Sequence, residues 1–157
     1  MDIPLITDNP FVKDEEGEYA FRFTIPNSNA TIECNINIRC AIESLLADNY
    51  QGEMMVCGCG DAGCAGFRNE RCRRTGNEIC WSFAYYNCHV ELHFERQAYE
   101  QNIIEMLDEM ITSRKGWNPF EYIEVYKSFD EFHSAVLKLK ETLASKRGDR
   151  SKDQDER

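Results

Sequence analysis

The chain has 157 residues, the length of one domain and enough to bury a core without help from metals or disulfides. Its 42% hydrophobic and 29% charged content excludes collagen-like and wholly disordered readings. Asp plus Glu number 28 against 18 Lys plus Arg, a net charge of −10; a field of this sign repels phosphate backbones, counts against nucleic-acid binding, and attracts a basic protein partner.

No apolar run approaches the roughly 18 residues of a membrane helix. The start Met1-Asp2-Ile3-Pro4-Leu5 lacks the basic and apolar regions of a secretion signal, so the sequence reads as cytoplasmic with no membrane partner. Residues 1–17 read as an irregular acidic segment with Pro4 and Pro10 as breakers. Residues 18–146 read as a single domain and 147–157 as a charged, disordered tail with nothing apolar to bury.

Within the domain, Glu18 to Ile25 predicts a strand with Tyr19, Phe21 and Phe23 on one face. Ala30 to Cys40 alternates. Ile32, Cys34, Ile36, Ile38 and Cys40 face one way, which places both cysteines as core thiols on a strand paired with the first. Ala41 to Asp48 predicts a short helix and Glu53 to Val56 a short strand. Glu70 to Thr75 and Glu78 to Tyr85 flank Gly76-Asn77 as a hairpin. Cys88 to Phe94 alternates again, with Val90, Leu92 and Phe94 opposite His89, Glu91 and His93. Glu95 to Lys115 is the best helix and stops at Gly116. Tyr122 to Tyr126 reads as a short strand, and Ser128 through Glu131 as a capping box that starts a last helix. The sum is an α+β domain: a mostly antiparallel sheet, two longer helices on one face, and a Gly/Cys knuckle.

That knuckle is the informative segment. Val56-Cys57-Gly58-Cys59-Gly60-Asp61-Ala62-Gly63-Cys64-Ala65-Gly66-Phe67 holds three cysteines and four glycines within residues 57–66. Zinc takes four soft ligands at about 2.3 Å from each sulfur, and glycines supply the tight turn that gathers them. The spacing points to a structural zinc bound by Cys57, Cys59, Cys64 and, as the nearest fourth ligand, Cys72. Cys80, Cys88, His89 and His93 are further candidates for the fourth position. Two more readings remain: unmetallated structural thiols, and a redox site built on the same three cysteines.

The run from Val56 to Phe67, with Ile79-Cys80-Trp81 and Phe94-Glu95-Arg96-Gln97-Ala98-Tyr99 after it, resembles a C-x-C-G-x3-C-x-G element of small uncharacterised bacterial proteins. The resemblance covers residues 18–111 and implies an α+β bacterial domain.

No familiar catalytic constellation is present. The chain lacks G-x-S-x-G, a Walker loop and H-E-x-x-H. His133 lies in the last helix, and the Cys88 and His89 side chains point to opposite faces of one strand. His89, Glu91 and His93 share a strand face that a metal can use, though such a face more often meets solvent or a partner. The arginines 68, 71, 73 and 74 follow the knuckle and have acids nearby. These features give the expectation of a non-enzymatic acidic binding protein. Its most concrete form is an immunity protein that neutralises a basic toxin domain; the alternative is a thiol-based redox enzyme or sensor.

Overall fold

The structure is a computed structural model that describes residues 5–59, 61–120 and 125–155, with residues 147–155 as backbone alone. Its first hairpin follows from period-two alternation. Tyr19–Thr24 (β2) pairs antiparallel with Thr31–Ile36 (β3), setting Phe21 opposite Cys34 and Phe23 opposite Ile32. Phe21 and Phe23 are buried, while Arg22 and Thr24, which alternate with them, are exposed. Two flanking strands complete the sheet in the order β1-β2-β3-β5: Phe11–Lys13 (β1) beside β2 and Met55–Val56 (β5) beside β3.

β1 corrects the irregular reading of residues 1–17. Phe11 is 2% exposed, and its ring lies 5.5 Å from that of Phe21 and 5.3 Å from that of Tyr99. Ile6 forms a parallel bridge to Phe94. Both apolar residues gain burial that outweighs the turn preferences around them. Pro10 sits just before an edge strand, where its missing N–H costs no ladder bond.

The second sheet runs β4-β6-β7-β8, with Asn49–Gln51 (β4), Phe67–Thr75 (β6), Glu78–Tyr85 (β7) and Cys88–Glu95 (β8). All its pairings are antiparallel. Thr75 opposes Glu78 across Gly76-Asn77, and Tyr85 opposes Cys88 across Tyr86-Asn87. Asn69, at φ 57°, marks a bulge between Arg68 and Arg71.

Aromatic rings join the two sheets. Phe23 lies 5.4 Å from Phe83 and 6.4 Å from Phe67, and Phe21 lies 6.1 Å from Phe94. Arg96–Ser113 (α2) closes one end of this core. Tyr99 on α2 packs 5.1 Å from Phe94, and its hydroxyl accepts from the Trp81 indole N–H at 3.0 Å. The N-terminus of α2 is capped by the Glu95 carboxylate, which accepts from the Gln97 and Ala98 amides. Phe129–Asp155 (α3) packs on α2 and on Ile38–Ser44 (α1).

Several elements differ from expectation. The strand predicted through Cys40 ends at Ile36, because the Asn37 side chain accepts from the Cys40 amide at 3.2 Å and starts α1. Ile38 and Cys40 are therefore helical, although both still meet the core. β4 was masked by the polar composition of Asn49–Gln51 and exists through pairing with β6. The backbone of α3 continues helically to Asp155, where composition predicts disorder beyond residue 146. Ser128 Oγ accepts from the Glu131 amide at 3.1 Å and starts that helix; propagation then adds residues cheaply, and Gly148 costs only about 1 kcal/mol. Most of the strand expected over Tyr122–Tyr126 lies outside the described residues; Val125 and Tyr126 are buried. Among the described residues, no helix is long and apolar enough to cross a membrane.

Candidate metal centre

The glycine-rich knuckle is the corner at which the chain leaves one sheet and enters the other. β5 ends at Val56, and Cys57 follows at once. The chain turns back through a single 3-10 turn, Gly63–Ala65, and β6 starts at Phe67. Backbone bonds fix the bend. The Cys57 amide donates to the Asp61 carbonyl at 3.2 Å, and the Phe67 amide donates to the Ala62 carbonyl at 2.9 Å. The Asp61 carboxylate accepts from the Gly63 amide at 2.9 Å.

The bend brings Cys57, Cys59 and Cys64 together, their sulfurs all within 4.8 Å of one another. Cys57 and Cys59 are tightest at 2.7 Å, and the Cys59 amide donates to the Cys57 sulfur at 3.4 Å. Two sulfurs on one tetrahedral zinc stand about 3.8 Å apart, so small side-chain rotations suffice to seat an ion. Three soft donors on a solvent-facing loop fit a thiophilic metal. The three residues therefore lie close enough to hold a metal ion.

Electrostatics favours such an ion. The hydrogen bond from Cys59, aided by the Cys59 and Asp61 amides, pulls the Cys57 thiol down to about 7. Its charge and hydrogen bonding then push Cys64 up to about 11. A first thiolate forms readily and opposes the next, and a divalent cation reverses that opposition.

Cys72, expected as fourth ligand, is placed elsewhere. It is fully buried on β6, between Tyr50 and Trp81 in register, and burial pushes its thiol to about 12. Strand alternation turns it into the core, away from the loop to which its nearness in sequence had assigned it. Nor do the remaining candidates join the hook. Cys80 and His93 sit on the sheet, while Cys88 and His89 are exposed on β8. Among the described residues, the metal-ligand cluster holds these three sulfurs and no fourth Cys, His, Asp or Glu. Cys34 is half-buried on β3, as its strand face predicts, and burial raises its thiol to about 12.

Two residues meet at the edge of the knuckle. Gly66, at φ +90°, lies against the ring of Tyr86, and its carbonyl accepts from the Tyr86 amide at 2.8 Å. Tyr86 is 59% exposed and stands edge-on to Tyr85 at 4.8 Å. The Arg68 guanidinium donates to the Tyr86 carbonyl at 3.0 Å. The hairpin tip and the cysteine hook thus form one surface. Counting residue pairs back from the two-residue turn at Tyr86-Asn87 would have placed that tip beside the start of β6.

No protein-family model, curated protein or solved structure matches the chain.

Proposed function

We propose that this chain is a non-enzymatic, zinc-carrying binding protein whose hook and adjoining tyrosine tip dock on a basic protein partner. The observation that carries this reading is the gathering of the Cys57, Cys59 and Cys64 sulfurs within 4.8 Å on an exposed loop. Zinc bound there closes the corner between the two sheets and holds the loop in one shape. Three protein ligands leave a fourth position facing outward, open to water or to a donor from the partner. The exposed ring of Tyr86 beside it supplies the rigid aromatic contact common at binding hot spots. The charge of −10 supplies attraction to a basic surface. The most concrete partner is a bacterial toxin domain, with this chain as its cytoplasmic immunity protein.

Metal analysis with thiol counting before and after chelation tests the zinc. The expected result is about one zinc per hook and three thiols that react only once a chelator is added. Affinity capture from the source cells tests the partner. Recovery of a basic protein whose binding weakens in Tyr86→Ala supports the docking surface. Recovery of no basic protein, with no toxin gene beside this one, removes the immunity reading.

The 2.7 Å approach of Cys57 to Cys59 favours a second reading as a thiol redox site. There, a small disulfide accepts two electrons and the two thiols lose two protons to form a Cys57–Cys59 bond. The two readings separate cleanly: the redox site gives metal-free protein whose thiols react without a chelator and reoxidise reversibly.

A further inference from the structure

The outer face of the second sheet holds a separate cluster. Ile79, Trp81 and Phe83 point into the core, so Glu78, Cys80 and Ser82 share the opposite face of β7. Register sets Cys80 directly between Arg73 on β6 and His93 on β8, and sets Ser82 opposite Glu91. His89 lies on the same face of β8.

His93 is held at both ring nitrogens. Its Nδ1 meets the Glu78 carboxylate in a close hydrogen bond. Its Nε2 lies 3.4 Å from Glu91 Oε2 and 3.8 Å from Cys80 Sγ. The second Glu91 oxygen lies 3.5 Å from His89 Nε2. Glu78 orients the ring with the proton on Nδ1. That leaves the Nε2 lone pair facing a second carboxylate, with the Cys80 thiol 3.8 Å away as a donor beside it.

We propose that Cys80, His93 and Glu91 form a second transition-metal site, with Glu78 as the carboxylate that orients the histidine and His89 as the next available donor. Zinc bonds of about 2.3 Å to sulfur and about 2.0–2.1 Å to nitrogen or oxygen place tetrahedral ligands about 3.3–3.6 Å apart. The Nε2 distances of 3.4 and 3.8 Å are close to that spacing. Rotation of Glu91, whose side chain is 39% exposed, closes the third edge. A carboxylate on the far nitrogen of a ligating histidine is the usual support of such sites. Binding removes the Cys80 proton to solvent; burial holds that thiol above its ordinary range, the Arg73 guanidinium beside it opposes this in part, and the metal supplies the rest. An ion has a route in, because Glu91 and His93 also line a cleft of about 590 Å³ at the sheet edge.

Zinc(II) and cobalt(II) titrations of the full chain carrying Cys57→Ser, Cys59→Ser and Cys64→Ser test this site apart from the hook. About one equivalent is expected to bind, with a thiolate-to-cobalt absorption band. Adding Cys80→Ser abolishes the band, and adding His93→Ala abolishes binding. Glu78→Gln, which keeps every ligand, weakens affinity about 10- to 100-fold. Circular dichroism of each variant confirms the fold. A folded triple variant that binds neither ion overturns the proposal and leaves the hook reading intact. So does an equivalent that survives His93→Ala. A parent chain that binds no more metal than the triple variant overturns only the hook reading.

Discussion

Gly66 and Tyr86 approach so closely that a Cβ on Gly66 would sit 2.7 Å from the phenol ring. The same glycine holds φ +90°, a conformation that L side chains rarely adopt. One residue thereby ends the cysteine hook, starts β6 and seats the hairpin tip. Gly66→Ala is expected to destabilise the fold by about 1–3 kcal/mol through backbone strain and displacement of the ring. Chemical denaturation measures it, and a variant as stable as the parent would show that the corner tolerates a side chain.

Glu70 gives a pH signature. It is 3% exposed, accepts from the Met55 amide at 2.7 Å, and leaves its second oxygen without a partner. Burial pushes its carboxyl up to about 8. The unfolded chain loses this proton near 4.5 and the folded chain keeps it to about 8. Stability from this group is therefore full below 4.5, falls as pH rises across that window, and levels off above it. The steepest loss is about 1.4 kcal/mol per pH unit. Glu70→Gln is expected to flatten the profile and to gain stability chiefly at about pH 8 and above. Parallel parent and variant profiles from about pH 5 to 9 would contradict this.

The Trp81–Tyr99 hydrogen bond ties the second sheet to α2, and both residues are at most 1% exposed. Tyr99→Phe keeps the ring and strands the indole N–H in the core. A loss of about 1–3 kcal/mol is expected by thermal or denaturant unfolding. An unchanged stability would mean that the N–H finds another acceptor.

Much of this architecture was legible in the residues. Alternation in Tyr19–Thr24 and Glu78–Tyr85, and the helical spacing after Glu95, report burial directly, and the structure follows them. Fold class and the meeting of Cys57, Cys59 and Cys64 were legible for the same reason: each is a local pattern. What escaped depends on partners remote in sequence. Phe11 becomes a strand because Phe21 and Tyr99 cover it. Asn37 turns an apparent strand into a helix through one side-chain cap. Cys72 looked close to the hook along the chain and lies in the core, because strand direction, and not separation, decides where a side chain points. Cys80 and His93 are thirteen residues apart and meet only through hairpin register.

The proposed function stands on a metal ion in the hook. The decisive measurement is metal content per chain, on purified parent protein and on Cys59→Ser, after zinc loading and removal of free zinc. Zinc is expected on the parent and about one equivalent less on the variant, with the parent's Cys57, Cys59 and Cys64 thiols shielded from alkylation until chelation. Equal metal content in the two proteins, with those three thiols freely reactive in the parent, would refute it.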